Sequence, residues 1–513
     1  MSALPPWPPH LDDEQRNELS VLASTWALSH GLVYYPVSPN ERGSAIHAPF
    51  TLLPSPFPKS QFEHAQKIQK AYNMLYSRIA LDREFLDVVM GDNGGVSDVD
   101  LFTRDLWKAW KSVRDLPNQQ SLHLGLFRSD YMLHEFDEGG LSIKQVEFNT
   151  TSVSFGPLSH KVSALHRISP YLHASNFPEN QSLTGLVEGL AVAHRAYNQP
   201  NASILFVVQP NERNAFDQRW IEYELLEQYG IRVRRHTLQS LSGLATLDNT
   251  SNLFVRSPYH SSSPSSEISV VYFRATYTPK DFNSPSDWTT RTLLEQSRAI
   301  KCPSLPLQLA GGKMIQAILA APGVLERFIG RTEEEKQWIP EIRNSWMEMW
   351  PLASSPQTST YISALDTSVA SQTTNPQPPL GHTGITRAAE LYSHLVLKPQ
   401  REGGGNNVYH GSIPPFLESL EANLDEARAW IAMRLIQPPK ASSENYLVSA
   451  GSAKAVKKDT VSELGIFGWS LFGGPDSSVD EKTVGWLVRT KNRESDEGGV
   501  AAGYSVIDSL VLV

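Results

Sequence analysis

Ten consecutive residues, Lys398 to Asn407, read KPQREGGGNN and are followed closely by Tyr409. Three glycines in a row lose about 0.5 to 1 kcal/mol each relative to alanine in a regular element, so they mark backbone that turns sharply or approaches a ligand closely. Bare amides of this kind can cradle phosphate oxygens. Lys398 adds a cation, and Glu402 a carboxylate for the metal that accompanies a phosphate. The run is not a Walker A loop, because no Gly-Lys-Ser/Thr closes it.

Two further pairs follow a two-residue rule. Glu147 and Asn149 lie on a segment, Ile143 to Asn149 (IKQVEFN), that reads as a strand with Val146 and Phe148 on one face and Gln145, Glu147 and Asn149 on the other. Their oxygens can converge on a hard cation such as Mg²⁺, which takes few protein ligands. Arg489 and Lys491 share a face of Gly485 to Lys491, where two adjacent cations call for an anionic partner. Just beyond, Gly498, Gly499, Val500, Ala501, Ala502 and Gly503 form a small-residue loop able to close over a ligand.

A fourth group surrounds strand ends. Glu212, Arg213 and Asn214 follow the apolar run Ile204 to Val208, with Gln218 one helical turn past Asn214; Arg274 and Tyr277 follow Val270 to Phe273. Open α/β sheets bind ligands at the carboxyl ends of their strands, so a small polar substrate is expected here.

Elements must hold these groups. Phe62, Ala65, Ile68, Tyr72, Leu75 and Ile79 recur at three- and four-residue intervals and predict an amphipathic helix packed on something larger. From about residue 202, apolar runs at Ile204 to Val208, Ile231 to Val233 and Val270 to Phe273 alternate with a helical stretch and a Ser-rich patch at Ser261 to Ser266. This predicts a small parallel α/β domain over 202–311. It divides the chain into an N-terminal region, 1–201, that is helical and supplies part of the core, that domain, and a third part, 312–513, carrying the Gly-rich and Ala-rich loops. Pro351 to Leu380 has one charged residue, Asp366, among many Ser, Thr, Gln and Pro, and predicts a surface insertion or mobile loop. Leu395 to Lys398 predicts a strand running straight into the glycines.

Composition narrows the function classes. The 513 residues are 40% hydrophobic and 19% charged, a folded chain long enough for two or more domains. A net charge of -9 with no basic run argues against nucleic-acid binding. The single cysteine, Cys302, excludes an intrachain disulfide and a multi-thiolate zinc site. It precedes Pro303 with no histidine nearby and reads as a buried structural thiol. His123, His134, His160 and His166 lack ligand spacing. Met1 to His10, with four prolines, reads as neither secretory signal nor transit peptide, and no apolar run reaches the roughly 20 residues of a membrane span, so a cytoplasmic location without membrane attachment is expected. No Gly-x-Ser-x-Gly, His-Glu-x-x-His or Gly-x-Gly-x-x-Gly motif is present.

Taken in order, LFRSDYM (126–132), KQVEFNTTSVSFG (144–156), NERNAFDQR (211–219), VYFRATY (271–277), KCPSLPLQLAGGK (301–313), VLKPQREGGGNNVY (396–409), SELGIFG (462–468), LVRTK (487–491) and GGVAAG (498–503) resemble the eukaryotic glutathione synthetases of the ATP-grasp superfamily. The resemblance implies an α/β ATP-grasp ligase with an inserted substrate domain and a lid. It would join γ-glutamylcysteine to glycine at the expense of ATP, through an acyl phosphate, as a cytosolic homodimer with two Mg²⁺ per site. It implies Mg²⁺ ligation by Glu147, Asn149 and Glu402. ATP is implied to lie against Glu147, Lys313, the run Lys398, Pro399, Gln400, Arg401, Glu402, Gly403, Gly404, Gly405, Asn406 and Asn407, then Tyr409, the hinge Met433, Arg434, Leu435 and Ile436, and Glu463, Lys491 and Glu497. Arg128, Thr151, Ser152, Val153, Ser154, Glu212, Arg213, Asn214, Gln218, Arg274, Ala275, Thr276, Tyr277, Arg489, Val500 and Ala501 are implied for substrates, with Arg128 and Arg489 as the catalytic cations.

Several positions depart from the family pattern. Arg434 and Leu435 stand where the metazoan pattern has Glu and Lys, Ala275 and Thr276 replace Asp and Gly, and Glu497 replaces Asp. A related ligase using another amine such as β-alanine, or an inactive homologue acting as an interaction protein, is the alternative reading.

Overall fold

The computed structural model describes residues 7–37, 43–117, 120–170, 176–256, 265–366, 383–402, 405–439, 444–474, 478–496, 498–500 and 503–513. Gly403, Gly404, Glu497 and Ala501, among the expected site residues, and most of the Ser-rich patch lie outside them.

A large mixed sheet forms the spine. Its centre is the antiparallel hairpin Ala455–Phe472 and Val479–Asn492, flanked by His123–Glu135 and then Leu141–Asn149, each antiparallel to the strand before it. The parallel strands Ile300–Cys302, Ser266–Phe273, Ser203–Val207 and Val233–His236 continue the same sheet, joined where Lys301 lies opposite His123. The helix Lys59–Leu81 buries the predicted stripe from Phe62 to Ile79, each residue 3% exposed or less, against this sheet.

A second, four-stranded antiparallel sheet runs Met349–Pro351, Trp430–Arg434, Leu395–Pro399, Val408–Tyr409. Alternation splits its faces. Leu395 and Leu397 pack outward with Trp350 and the helix Ile413–Glu421, whereas Val396 and Met433 join the main core. The cleft between the two sheets is therefore bounded by one face of each. The fold is of the mixed α/β class.

Three expectations need correction. The register slips where Asp130 pairs with Glu147 but Tyr131 with Gln145, a bulge that turns Val146 toward the cleft beside Glu147 and leaves Gln145 buried, accepting from Trp346 Nε1 at 3.1 Å. The predicted strand at Ile231 begins at Val233 instead. Gly230, at φ 69°, ends the helix Ala215–Tyr229, and Ile231 N–H closes it by donating to Leu225 O at 3.0 Å. Within the expected insertion, Pro356–Asp366 is a helix with Ile362 and Thr358 buried, because its few apolar residues fall on one side. Among the described residues no helix is long and apolar enough to cross a membrane.

Candidate active site

The floor of the cleft is set by cross-strand pairing. Arg128 lies opposite Asn149 and Asp130 opposite Glu147, and on the hairpin Glu463 faces Arg489. Gly465 faces Asp130 on the next strand, and an added Cβ there would stand 2.8 Å from both Arg128 Cδ and Asp130 Oδ1, so only glycine permits this approach. Asp130, fully buried, accepts from Arg128 Nε at 2.6 Å and Nη2 at 2.7 Å, from Asn149 Nδ2 at 2.9 Å and from Arg489 Nη2 at 3.0 Å. Arg489 also pairs with Glu463. Asp130 was not singled out from the sequence, although it sits two residues from Arg128 and the two-residue rule applied to LFRSDYM would have found it.

The roof contributes Val396, Lys398, Tyr409 and Met433. Lys398 reaches across the cleft to donate to Val146 O at 2.8 Å. Lys313, in the first turn of the helix Lys313–Leu319, places Nζ 2.9 Å from Glu147 and 3.6 Å from Glu402. Carboxylates from two distant segments thus meet at one ammonium group.

The charges are strongly coupled. Burial opposes ionisation of Glu147, but Lys313, Lys398 and Arg489 outweigh it and hold its carboxyl well below the usual range. Burial raises Glu402; Lys313 pulls it back and the Glu147 charge pushes it up again. Burial also raises Glu463 and brings Lys398 down to about 8. A further cation in the cleft would relieve the clustered carboxylates.

The donor set fits Mg²⁺. Glu147 and Glu402 offer carboxylate oxygens, and Asn149, whose Nδ2 is committed to Asp130 and to Arg128 O, has its amide oxygen left to accept or coordinate. Two carboxylates and an amide are few ligands, in keeping with the preference of this ion for water and phosphate oxygens.

The cleft, about 660 Å³, is lined by Arg128, Glu147, Asn149, Thr151, Ser152, Val153, Ser154, Tyr277, Lys313, Lys398, Arg401, Glu402, Asn407, Tyr409, Met433, Arg434, Leu435, Ile436, Glu463, Arg489, Lys491 and Val500 of the expected residues. Gln400 lies outside the lining, buried, accepting from Met314 N and donating to Ala429 O, whereas two lining residues are also engaged beyond the cleft, Arg401 with Asp100 at 2.6 Å and Arg434 with Glu348 at 2.7 Å. Pro399, Gly405 and Asn406 do not line it. The sequence reading missed Met132, Ser393, His394, His410 and Asp496, which do; His410 and Asp496 stand 3.2 Å apart.

Glu212, Arg213, Asn214, Gln218, Arg274, Ala275 and Thr276 lie outside the cleft lining, toward the carboxyl ends of the parallel strands. Arg274 binds this region to the cleft by donating to Val153 O at 2.5 Å and Ser154 Oγ at 2.6 Å, while Arg128 Nη1 reaches Ser154 O at 3.4 Å. Asp217 completes the clamp, accepting from Phe155 N at 2.8 Å. Arg213 Nε turns away to Tyr35 O, and Ala275 and Thr276 are buried. Asn214 caps no helix with its side chain.

Two sheets enclosing lysines and carboxylates in this arrangement suit a ligand that carries phosphate together with a hard cation. Residues 13–512 match the family model of the eukaryotic glutathione synthase ATP-binding domain. The chain is 36% identical over 504 residues to the glutathione synthetase of Homo sapiens, covering 97% of each, and 34% identical over 532 residues to the glutathione synthetase large chain of Schizosaccharomyces pombe, covering 97% of this chain and 98% of that one. Its fold matches a glutathione synthetase-like effector of Globodera pallida with a TM-score of 0.72, at 23% identity and 98% coverage of both. The chain belongs to the eukaryotic glutathione synthetase family.

Proposed function

We propose that this chain is a glutathione synthase, joining γ-L-glutamyl-L-cysteine to glycine with conversion of ATP to ADP and phosphate through an acyl phosphate. The observation that carries the reading is the meeting of Glu147 and Glu402 at Lys313, in a cleft that also holds Lys398, Arg128 and Arg489.

The cysteinyl carboxylate of the dipeptide attacks the γ-phosphorus of ATP and ADP leaves. Two anions must approach each other, so the contribution of the protein is positioning and positive charge. Lys313 and Lys398 supply that charge beside the triphosphate. Glu147, Asn149 and Glu402 would hold Mg²⁺, which when bound offsets phosphate charge. The amine of glycine then attacks the acyl phosphate; a tetrahedral oxyanion forms, phosphate leaves, and the amine proton passes to solvent or phosphate. Arg128 and Arg489, held in place by Asp130, stabilise that oxyanion, a role in which one donor is worth about 3 to 4 kcal/mol.

A homodimer, a cytosolic setting, and a substrate-holding unit spanning 202–311 belong to the same proposal, supported by the family resemblance and the parallel strands within that span. ADP release measured with ATP, dipeptide and glycine omitted in turn tests it. Release that requires all three is expected. Release without glycine or dipeptide would contradict the reading, as would β-alanine outcompeting glycine; no release at all would favour an inactive interaction protein.

A further inference from the structure

Gln218 is fully buried on the first turns of the helix Ala215–Tyr229, yet its amide has one end engaged and one end free. Arg235 Nη2 donates to Gln218 Oε1 at 2.8 Å, which fixes the amide with its oxygen on the guanidinium and leaves Nε2 with no partner. Arg235 was not singled out from the sequence. It lies on Val233–His236 in register with Phe206, which pairs with Tyr272 on the far side. Residues in register across parallel strands share a face, so Arg235 and Tyr272 point the same way, and Arg274, two residues past Tyr272, does so at the carboxyl end.

This face meets the helix bearing Asn214 and Gln218. Three buried donors there are without hydrogen-bond partners: Gln218 Nε2, Arg235 Nη1 and Arg274 Nε. One buried acceptor, Asn214 Oδ1, is likewise unpaired. The carboxylate nearest Arg235, that of Glu222, stands 3.6 Å from Nη1 and is already held by Arg219 at 2.8 Å. Burial, with Arg219 and Arg274 close by, brings the Arg235 guanidinium down to about 10. Leaving several such groups unsatisfied is costly, and one anionic group beside one cationic group would satisfy all of them. A free amino-acid head, carboxylate next to ammonium, has that chemistry, with Glu212 near Asn214 as a second acceptor.

We propose that Arg235 is a binding and positioning residue for the γ-glutamyl end of the dipeptide: it turns the Gln218 nitrogen, and offers its own Nη1 beside Arg274, to the free α-carboxylate remote from the reacting cysteinyl carboxylate. The inference rests on the dipeptide reading above.

The test compares γ-glutamylcysteine with 4-aminobutanoyl-cysteine, which keeps the amine and lacks the α-carboxylate, by ADP release in the wild type and in Arg235→Met, Arg235→Lys and Gln218→Glu. Gln218→Glu keeps an oxygen for Arg235 but replaces the free donor by a second acceptor. The wild type is expected to favour γ-glutamylcysteine by about 100-fold, the value of a charge-assisted contact. Arg235→Met and Gln218→Glu should raise the dipeptide KM by about 10- to 100-fold and collapse that preference, with kcat and the KM values for ATP and glycine changed little; Arg235→Lys should fall between. Unchanged dipeptide KM in folded variants, or equal loss on both dipeptides with the preference intact, would overturn the proposal. Failure of the wild type to use γ-glutamylcysteine would overturn the proposed function and this inference with it.

Discussion

Arg128 and Asp130, two residues apart on one strand, lie side by side and are joined by two hydrogen bonds of 2.6 and 2.7 Å, so that the carboxylate orients the guanidinium from within the same element. The same carboxylate holds Arg489 and Asn149. One buried anion thereby aligns three groups that face the cleft.

Asp130→Asn keeps the shape but removes the paired carboxylate of buried Arg128 and leaves Arg489 paired with Glu463 alone. Breaking a buried pair costs on the order of 3 to 5 kcal/mol, so the melting temperature should fall clearly. Glutathione formation should fall by about 100-fold at saturating substrates, because Arg128 and Arg489 lose their alignment. Thermal melts and steady-state kcat check both.

Glu402→Gln should retain the fold, since Glu402 already resists ionisation and a neutral amide fits its place. The amide is a poor Mg²⁺ ligand, so ADP release should fall by about 100-fold and half-maximal rate should require more Mg²⁺. Chelation with EDTA should abolish wild-type turnover and readdition of Mg²⁺ restore it. A Mg²⁺ titration of both proteins measures this.

Asp217 predicts a pH dependence of stability. Burial, partly offset by Arg274 and by the N–H groups of Phe155 and Leu158, raises its carboxyl to about 6 from an ordinary 3.8. The folded state therefore binds its proton more tightly than the unfolded state. That contribution is fully present below the unfolded value and is lost as pH rises through about 6. Asp217→Asn should remove it, so the stability of the wild type relative to the variant should decline between pH 4 and 6 by on the order of 3 kcal/mol. Urea unfolding at several pH values reads the difference.

Much of this site is visible in periodicity. The spacing of Phe62 to Ile79 encodes a buried stripe, and alternation encodes the shared faces of Glu147 with Asn149 and of Arg489 with Lys491. What periodicity misses has a physical pattern. The bulge at Val146 depends on pairing with Asp130 and Tyr131, partners that alternation within one strand does not contain. Asp130 carries its information in contacts made by three strands, and Arg235 in an amide it orients on the helix packed against its strand. The helix Pro356–Asp366 was obscured by a polar composition that averages over its single apolar side.

The acyl phosphate is the core of the account, and an isotope tests it most directly. With ¹⁸O in the cysteinyl carboxylate of γ-glutamylcysteine, turnover in the presence of ATP and glycine should deliver one labelled oxygen to the inorganic phosphate released with each glutathione. Glutathione formed alongside unlabelled phosphate would contradict it.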